Sequence, residues 1–119
     1  NLHARYLIND ACVKLGKPFV YGSICEFCGQ VSVFNYQNGP TYRDLFEYND
    51  EIENFSQPLG VIGALPGIVG SLQANEAIKI ILEKPGVLSG KLLTIDILNN
   101  TYLTFAIRKK GREEESLFK

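Results

Sequence analysis

The sequence has no methionine, no tryptophan and a single histidine among its 119 residues. That histidine, His3, stands beside no serine in the chain, so a serine hydrolase triad has no support. Its ordinary place is the surface of the first predicted helix. Three cysteines, an odd number, do not build a disulfide framework. Reduced thiols in a cytoplasmic protein are the expectation. An excess of positive charge is also missing: 12 Lys and Arg face 13 Asp and Glu, for a net charge of −1. Nucleic-acid binding draws on a basic face that releases counterions, so that class is set aside. The longest apolar run, 59–72, falls short of the roughly 20 residues a membrane helix needs. It is also broken by glycines and by Pro66. With no initiator, the chain is expected to be a processed product or a piece of something longer. What remains is globular: 45% hydrophobic and 21% charged residues, at a length that suits one domain.

Ala4, Leu7, Ile8, Ala11, Cys12 and Leu15 recur at three- and four-residue spacing and predict a helix over 1–15. Gly16 and Pro18 stop it. The run from Phe19 to Ile24 reads as a buried strand, and Gln30 to Tyr36 alternates as a second. Asn38-Gly39-Pro40 is a turn. Residues 44–58 are acidic, and no Lys or Arg occurs from Asp44 to Ile78, so a solvated loop is expected. A turn at 60–65 then leads into a long buried helix from Pro66 to Leu82, with proline placed in its first turn. Gly63, Gly67 and Ser71 share one helical face, which should pack closely on the sheet or on a dimer partner. Lys91 to Leu98 and Thr101 to Arg108 predict a strand pair joined at Asn99-Asn100, since asparagine tolerates positive φ. The order α-β-β-loop-α-β-β gives an α/β fold, a mixed sheet with packed helices. Residues 1–108 form the domain and 109–119 a charged tail or linker.

Short motifs carry little by themselves. No Gly-x-Gly-x-x-Gly fingerprint is present. Gly86 to Lys91 misses the phosphate-loop pattern by one residue and precedes a strand rather than a helix. The carboxylates of 44–53 lack the spacing of a calcium loop or of an acid/base pair. Cys25-Glu26-Phe27-Cys28 is a Cys-x-x-Cys, but no second pair completes a four-ligand zinc site. Incidental or packing thiols are the first reading of it. Redox pairing, or a metal shared with a partner chain, stays open.

Longer strings say more. Arg5-Tyr6-Leu7-Ile8-Asn9-Asp10-Ala11-Cys12 is followed by Gly16-Lys17-Pro18, Tyr21-Gly22-Ser23 and Gly29-Gln30-Val31-Ser32-Val33-Phe34. Gly39-Pro40-Thr41-Tyr42-Arg43 comes next, then Leu65-Pro66-Gly67-Ile68-Val69-Gly70-Ser71-Leu72-Gln73-Ala74-Asn75-Glu76-Ala77-Ile78-Lys79, then Ser89-Gly90-Lys91-Leu92-Leu93. In that order and spacing the chain closely resembles the MoeB/ThiF/HesA family of ubiquitin-activating-type adenylyltransferases, from residue 1 to about 108. The resemblance implies the C-terminal half of a Rossmann-like activating-enzyme domain. Such enzymes use ATP and Mg²⁺ to adenylate the C-terminal Gly-Gly carboxylate of a ubiquitin-like sulfur-carrier protein, for molybdopterin or thiamin-thiazole synthesis. A homodimer in the cytoplasm would be expected.

The resemblance also implies what is not in this chain. The family's glycine-rich phosphate loop lies in the first half of the domain, and its catalytic aspartate would immediately precede Asn1. Alone, the chain is expected neither to bind ATP well nor to adenylate. Asn1 is then a candidate for the nucleotide and magnesium edge. Arg5 is the catalytic candidate, pairing with a phosphate or an acid. The loop after Tyr42 and Arg43, with Ser56, is a candidate flap over the carrier's extended tail. Zinc-binding relatives carry cysteines where Thr41 and Asp44 stand here, so zinc is not expected. Relatives with a sulfur-relaying thiol place it where Ser56 stands. The rival reading is a stand-alone, non-catalytic module that binds a carrier or scaffolds a partner.

Overall fold

The computed structural model describes residues 2–46 and 63–110. Its elements are α1 (Leu2–Leu15), β1 (Phe19–Cys25), β2 (Cys28–Phe34), α2 (Tyr42–Leu45), α3 (Ala64–Ile81), β3 (Lys91–Asp96) and β4 (Thr101–Ala106). Helix α1 ends as its sequence predicts. Gly16 adopts φ +66°, and the Lys17 amide donates to the Cys12 carbonyl at 2.8 Å. The Asn35 side-chain amide donates to the Cys12 and Lys17 carbonyls at 3.2 and 3.0 Å, tying that end to the exit of β2.

Strands β1 and β2 form a hairpin closed by Glu26 and Phe27, with Cys25 opposite Cys28. β2 starts and ends two residues before the predicted 30–36. Its early start follows from the tight turn, which sets Cys28 and Gly29 against Cys25 and Ile24. Its early end follows from Asn35, whose φ of +56° takes the chain out of the ladder. The strand order is β1-β2-β3-β4, each antiparallel to its neighbour. Among the described residues, the parallel component of the expected mixed sheet is confined to the bridge between Val33 and Ser89. The β3–β4 turn is wider than Asn99-Asn100 alone. The Asp96 carboxylate accepts from the Leu98 and Asn99 amides at 3.1 and 3.3 Å and ends β3 early, and Asn100 takes φ +54°. A hydrogen bond from the Asn99 side chain, followed by these two from backbone amides, holds the Asp96 carboxyl below the usual carboxylate range.

Side chains alternate between the two faces of the sheet. One face meets α1 and α2 through Tyr6, Tyr21, Phe34, Tyr42, Leu92 and Ile107. The other meets α3 through Val31, Ile95, Leu65 and Val69. Helix α3 approaches closely at Gly29, where an added Cβ would stand 2.7 Å from Val69 Cγ2. Pro66 lies inside the first turn of α3, where its missing N–H would have no helical partner.

Two expectations about α3 are corrected. It is not a buried helix: Leu65, Val69 and Glu76 are buried, whereas Ile78 and Ile81 are exposed. Its apolar composition exceeds what one sheet face can cover. Nor does the Gly63, Gly67 and Ser71 face pack on the sheet. A Cβ on either glycine meets nothing within 4 Å, because the stripe that docks is Leu65, Val69 and Leu72. The buried Glu76 accepts from the Leu88 amide at 2.6 Å and pairs with Lys79, whose ammonium donates to the Gly86 carbonyl at 2.9 Å. That clasp fixes the segment entering β3. No helix among the described residues is long and apolar enough to cross a membrane.

Candidate functional site

Arg5 closes the first turn of α1, half-buried, with its guanidinium carbon 5.8 Å from the centroid of the Tyr21 ring. It lines a cavity of about 230 Å³ with Gly22, Ser23 and Ile24 of β1 and Pro66, Val69, Gly70 and Gln73 of α3. The lack of a side chain at Gly22 admits Gln73, which would otherwise collide with a Cβ there. Burial pushes the Tyr21 hydroxyl up from its ordinary value, and that hydroxyl donates to Gln30 Oε1 at 3.1 Å. The cavity thus sets the Arg5 cation beside walls that are part polar, from Ser23 and Gln73, and part apolar, from Ile24, Pro66 and Val69.

Tyr42 and Arg43, the two flap candidates within the described residues, part company. Tyr42 is 1% exposed and sits among Tyr6, Tyr21, Phe34 and Phe46, with ring centroids 4.9–5.7 Å away. Its ring is core, and its backbone amide donates to Asn9 Oδ1 at 2.9 Å. Arg43 is at the surface. It grips Asp10 with two bonds of 2.8 Å and lies 5.0 Å over the Tyr6 ring. The hydrogen bonds from Arg43 hold the Asp10 carboxyl below the usual range. Burial and the neighbouring Tyr42 push the Tyr6 hydroxyl up, and it donates to the Phe46 carbonyl at 3.0 Å. Asn1 and Ser56 lie outside the described residues.

Thr41 and Asp44 hold each other. The Asp44 carboxylate accepts from the Thr41 amide at 2.7 Å, a capping box that starts α2. Asp44 also accepts from the Lys110 amide at 3.1 Å, and the Lys109 ammonium donates to the Asn38 carbonyl at 2.7 Å. The first two residues of the predicted tail are therefore fastened to the body. Sequence reasoning did not single out Asn9 and Asp10, although both lie in the string that carries the resemblance. On a helix, two adjacent polar residues read as solvated surface. Only the fold shows that they seat α2.

Gly90 has φ +72° and Lys91 opens β3, so the near-miss phosphate loop is a strand entry. Cys25 and Cys28 are free and exposed, which removes a packing role from both.

The ThiF family model matches residues 1–116. A probable molybdopterin-synthase adenylyltransferase from Porphyra purpurea is 50% identical over 111 residues, covering 90% of this chain and 29% of that protein. An adenylyltransferase and sulfurtransferase MOCS3 from Dictyostelium discoideum is 46% identical over 113 residues, covering 92% of this chain and 27% of the relative. The chain thus spans less than a third of the length of these curated relatives. Among solved structures, E. coli MccB superposes with a TM-score of 0.75 at 12% identity, over 91% of this chain and 35% of MccB. That likeness shows the fold: the antiparallel sheet and its helices match about a third of the MccB chain. With the match running nearly end to end through α1, the sheet and α3, the chain belongs to the ThiF family.

Proposed function

We propose that this chain is one part of an ATP-dependent adenylyltransferase that activates the C-terminal glycine of a ubiquitin-like sulfur-carrier protein. The observation that carries the reading is identity of 46–50% to proteins named as adenylyltransferases, sustained over at least 90% of the chain. The molybdopterin branch is favoured by those names over the thiamin branch. The part supplies sheet scaffold and a carrier-facing surface, in a cytoplasmic homodimer.

A phosphate group is the ligand proposed for the Arg5 edge. Arg5 presents a cation to the cavity between β1 and α3, and no cluster of carboxylate, cysteine or histidine ligands gathers among the described residues. ATP with Mg²⁺, when bound, supplies the adenylyl group. Arg5 would neutralise charge on a phosphate or hold an acidic partner, and Asn1 is proposed for the same nucleotide edge on the resemblance alone. Catalysis of such a transfer rests on positioning and charge compensation, and a cation beside the Tyr21 ring supports that role for Arg5. Arg43 acts as a positioning residue through its grip on Asp10, setting where the chain leaves α2 toward residues 47–62.

ATP–pyrophosphate exchange by the full polypeptide, with a carrier protein ending in Gly-Gly, tests the reading. Exchange that requires the carrier and falls on the order of 10²-fold in Arg5→Ala is expected. Exchange absent with molybdopterin and thiamin carriers alike, together with retained carrier binding, would favour the non-catalytic module. The carrier that supports exchange decides the branch.

A further inference from the structure

Cys25 and Cys28 close the β1–β2 hairpin as directly opposed residues across the two-residue turn of Glu26 and Phe27. Opposed residues of an antiparallel pair direct their side chains to the same face, with Cα atoms about 4.5–5.5 Å apart. A disulfide spans roughly 4.4–6.8 Å between Cα atoms, so the spacing expected of this register matches the one a disulfide needs. Both residues are exposed and both thiols are free. The register continues across the sheet, with Cys28 opposite Asp96 and Asp96 opposite Thr101. The pair therefore sits at one end of a polar row. That row is open to a cavity of about 540 Å³ lined by Cys28, Gln30, Thr94, Asp96 and Thr101 among others.

We infer that Cys25 and Cys28 form a reversible dithiol/disulfide site, oxidised by small-molecule or protein disulfides. In the reaction one Sγ thiolate attacks a disulfide RSSR, forming a mixed disulfide and releasing one RS⁻. The second Sγ then attacks the protein sulfur of that mixed disulfide and releases the second RS⁻. One S–S bond is made and one is broken. Two electrons pass from the protein sulfurs to RSSR, and the two thiol protons go to the departing thiolates. The geometry favours this chemistry over metal binding. A disulfide needs only the two sulfurs, whereas a zinc site needs two further ligands, and no such cluster exists among the described residues. The closed loop is very short, so the bond constrains the unfolded chain little. With both sulfurs exposed, the disulfide is open to exchange and to reduction. It is a site of reversible modification rather than a staple.

The experiment uses the full polypeptide, reduced and then treated with glutathione disulfide. Trypsin releases residues 15–43, since the Lys17–Pro18 bond resists cleavage, and this peptide holds Cys25 and Cys28 without Cys12. The expected result is a peptide lighter by two hydrogen atoms and free of glutathione, restored by dithiothreitol. Cleavage after Glu26 should then leave two pieces joined by the disulfide. Cys25→Ser and Cys28→Ser should each carry one glutathione adduct instead, with the fold unchanged by far-ultraviolet circular dichroism. Two glutathione adducts on the unsubstituted peptide, or a disulfide formed only between polypeptides, would overturn the inference. So would one zinc ion held stoichiometrically by the reduced protein and lost in both serine variants. None of these outcomes depends on adenylation, so the site stands or falls apart from the proposed activity.

Discussion

On one face of the sheet, Tyr21 and Phe34 meet Tyr6, Phe19 and Tyr42, brought from α1, β1 and α2; on the other, Val31 and Ile95 meet Leu65 and Val69 of one helix. The aromatic side is assembled from distant segments, and its polar atoms are satisfied inside it. Tyr6 donates to the Phe46 carbonyl, and Asn9 receives the Tyr42 amide. The aliphatic side is a single helix laid on a flat apolar patch. Large rings tolerate little loss, because each contacts several others at fixed angles. Aliphatic side chains depend on volume alone. The site candidates follow the same division: Arg43 is anchored on the aromatic side, whereas the cavity of Arg5 opens toward α3.

The comparison can be broken from either side. Phe34→Ala removes a fully buried ring at the centre of the aromatic cluster and should cost about 4 kcal/mol. Leu65→Ala, equally buried under α3, should cost about 3 kcal/mol, since the end of a helix can settle toward the gap. Guanidinium denaturation of the two variants checks the order, and equal losses would remove the distinction. Gly29→Ala probes the aliphatic side from the sheet. Its Cβ would press on Val69, and about 1–3 kcal/mol of overpacking is expected, with rescue by the pair Gly29→Ala and Val69→Ala. The smallest effect belongs to the rim of the aromatic side. Asp10 and Arg43 are 50% and 43% exposed, so Asp10→Asn should cost no more than about 1 kcal/mol. The folded carboxyl titrates below its unfolded value. Its contribution is therefore present above the unfolded pKa of ~3.9 and fades as pH falls through the folded one. The difference between wild type and variant, measured by urea titration at pH 7 and near pH 3, should shrink toward zero at the lower pH.

Much of this architecture was legible beforehand. Apolar spacing predicted that α1 is a helix but not its buried face: Leu7, Ile8 and Leu15 are exposed, whereas Tyr6 and Asn9 are buried. Gly16 and Asn100 marked real positive-φ positions, and the strands fall within two residues of their predicted limits. The hairpin at Cys25 and Cys28 was missed because Glu26 is not a customary residue at positive φ (its φ is +52°), and the turn carries no glycine or asparagine. The face of α3 was misread for a different reason. Small residues spaced four apart suggest close packing, but spacing does not say whether anything lies opposite. The sequence strings pointed to Arg5, and the structure places it beside a cavity. Tyr42 belongs to the same strings, yet burial makes it a core residue. A string of residues reports that a position matters and leaves open whether it matters to the ligand or to the fold.

The chain has six tyrosines and no tryptophan, so its near-ultraviolet optical activity comes largely from tyrosine. Tyr6 and Tyr21 lie 5.1 and 5.3 Å from Tyr42, in rigidly crossed orientations. Rings held that close couple their transitions, and the coupling vanishes when side-chain packing loosens even if helices and strands persist. The aromatic cluster is thereby a built-in spectroscopic reporter, able to distinguish loss of tertiary order around α1 and α2 from loss of secondary structure, without a label or an introduced fluorophore.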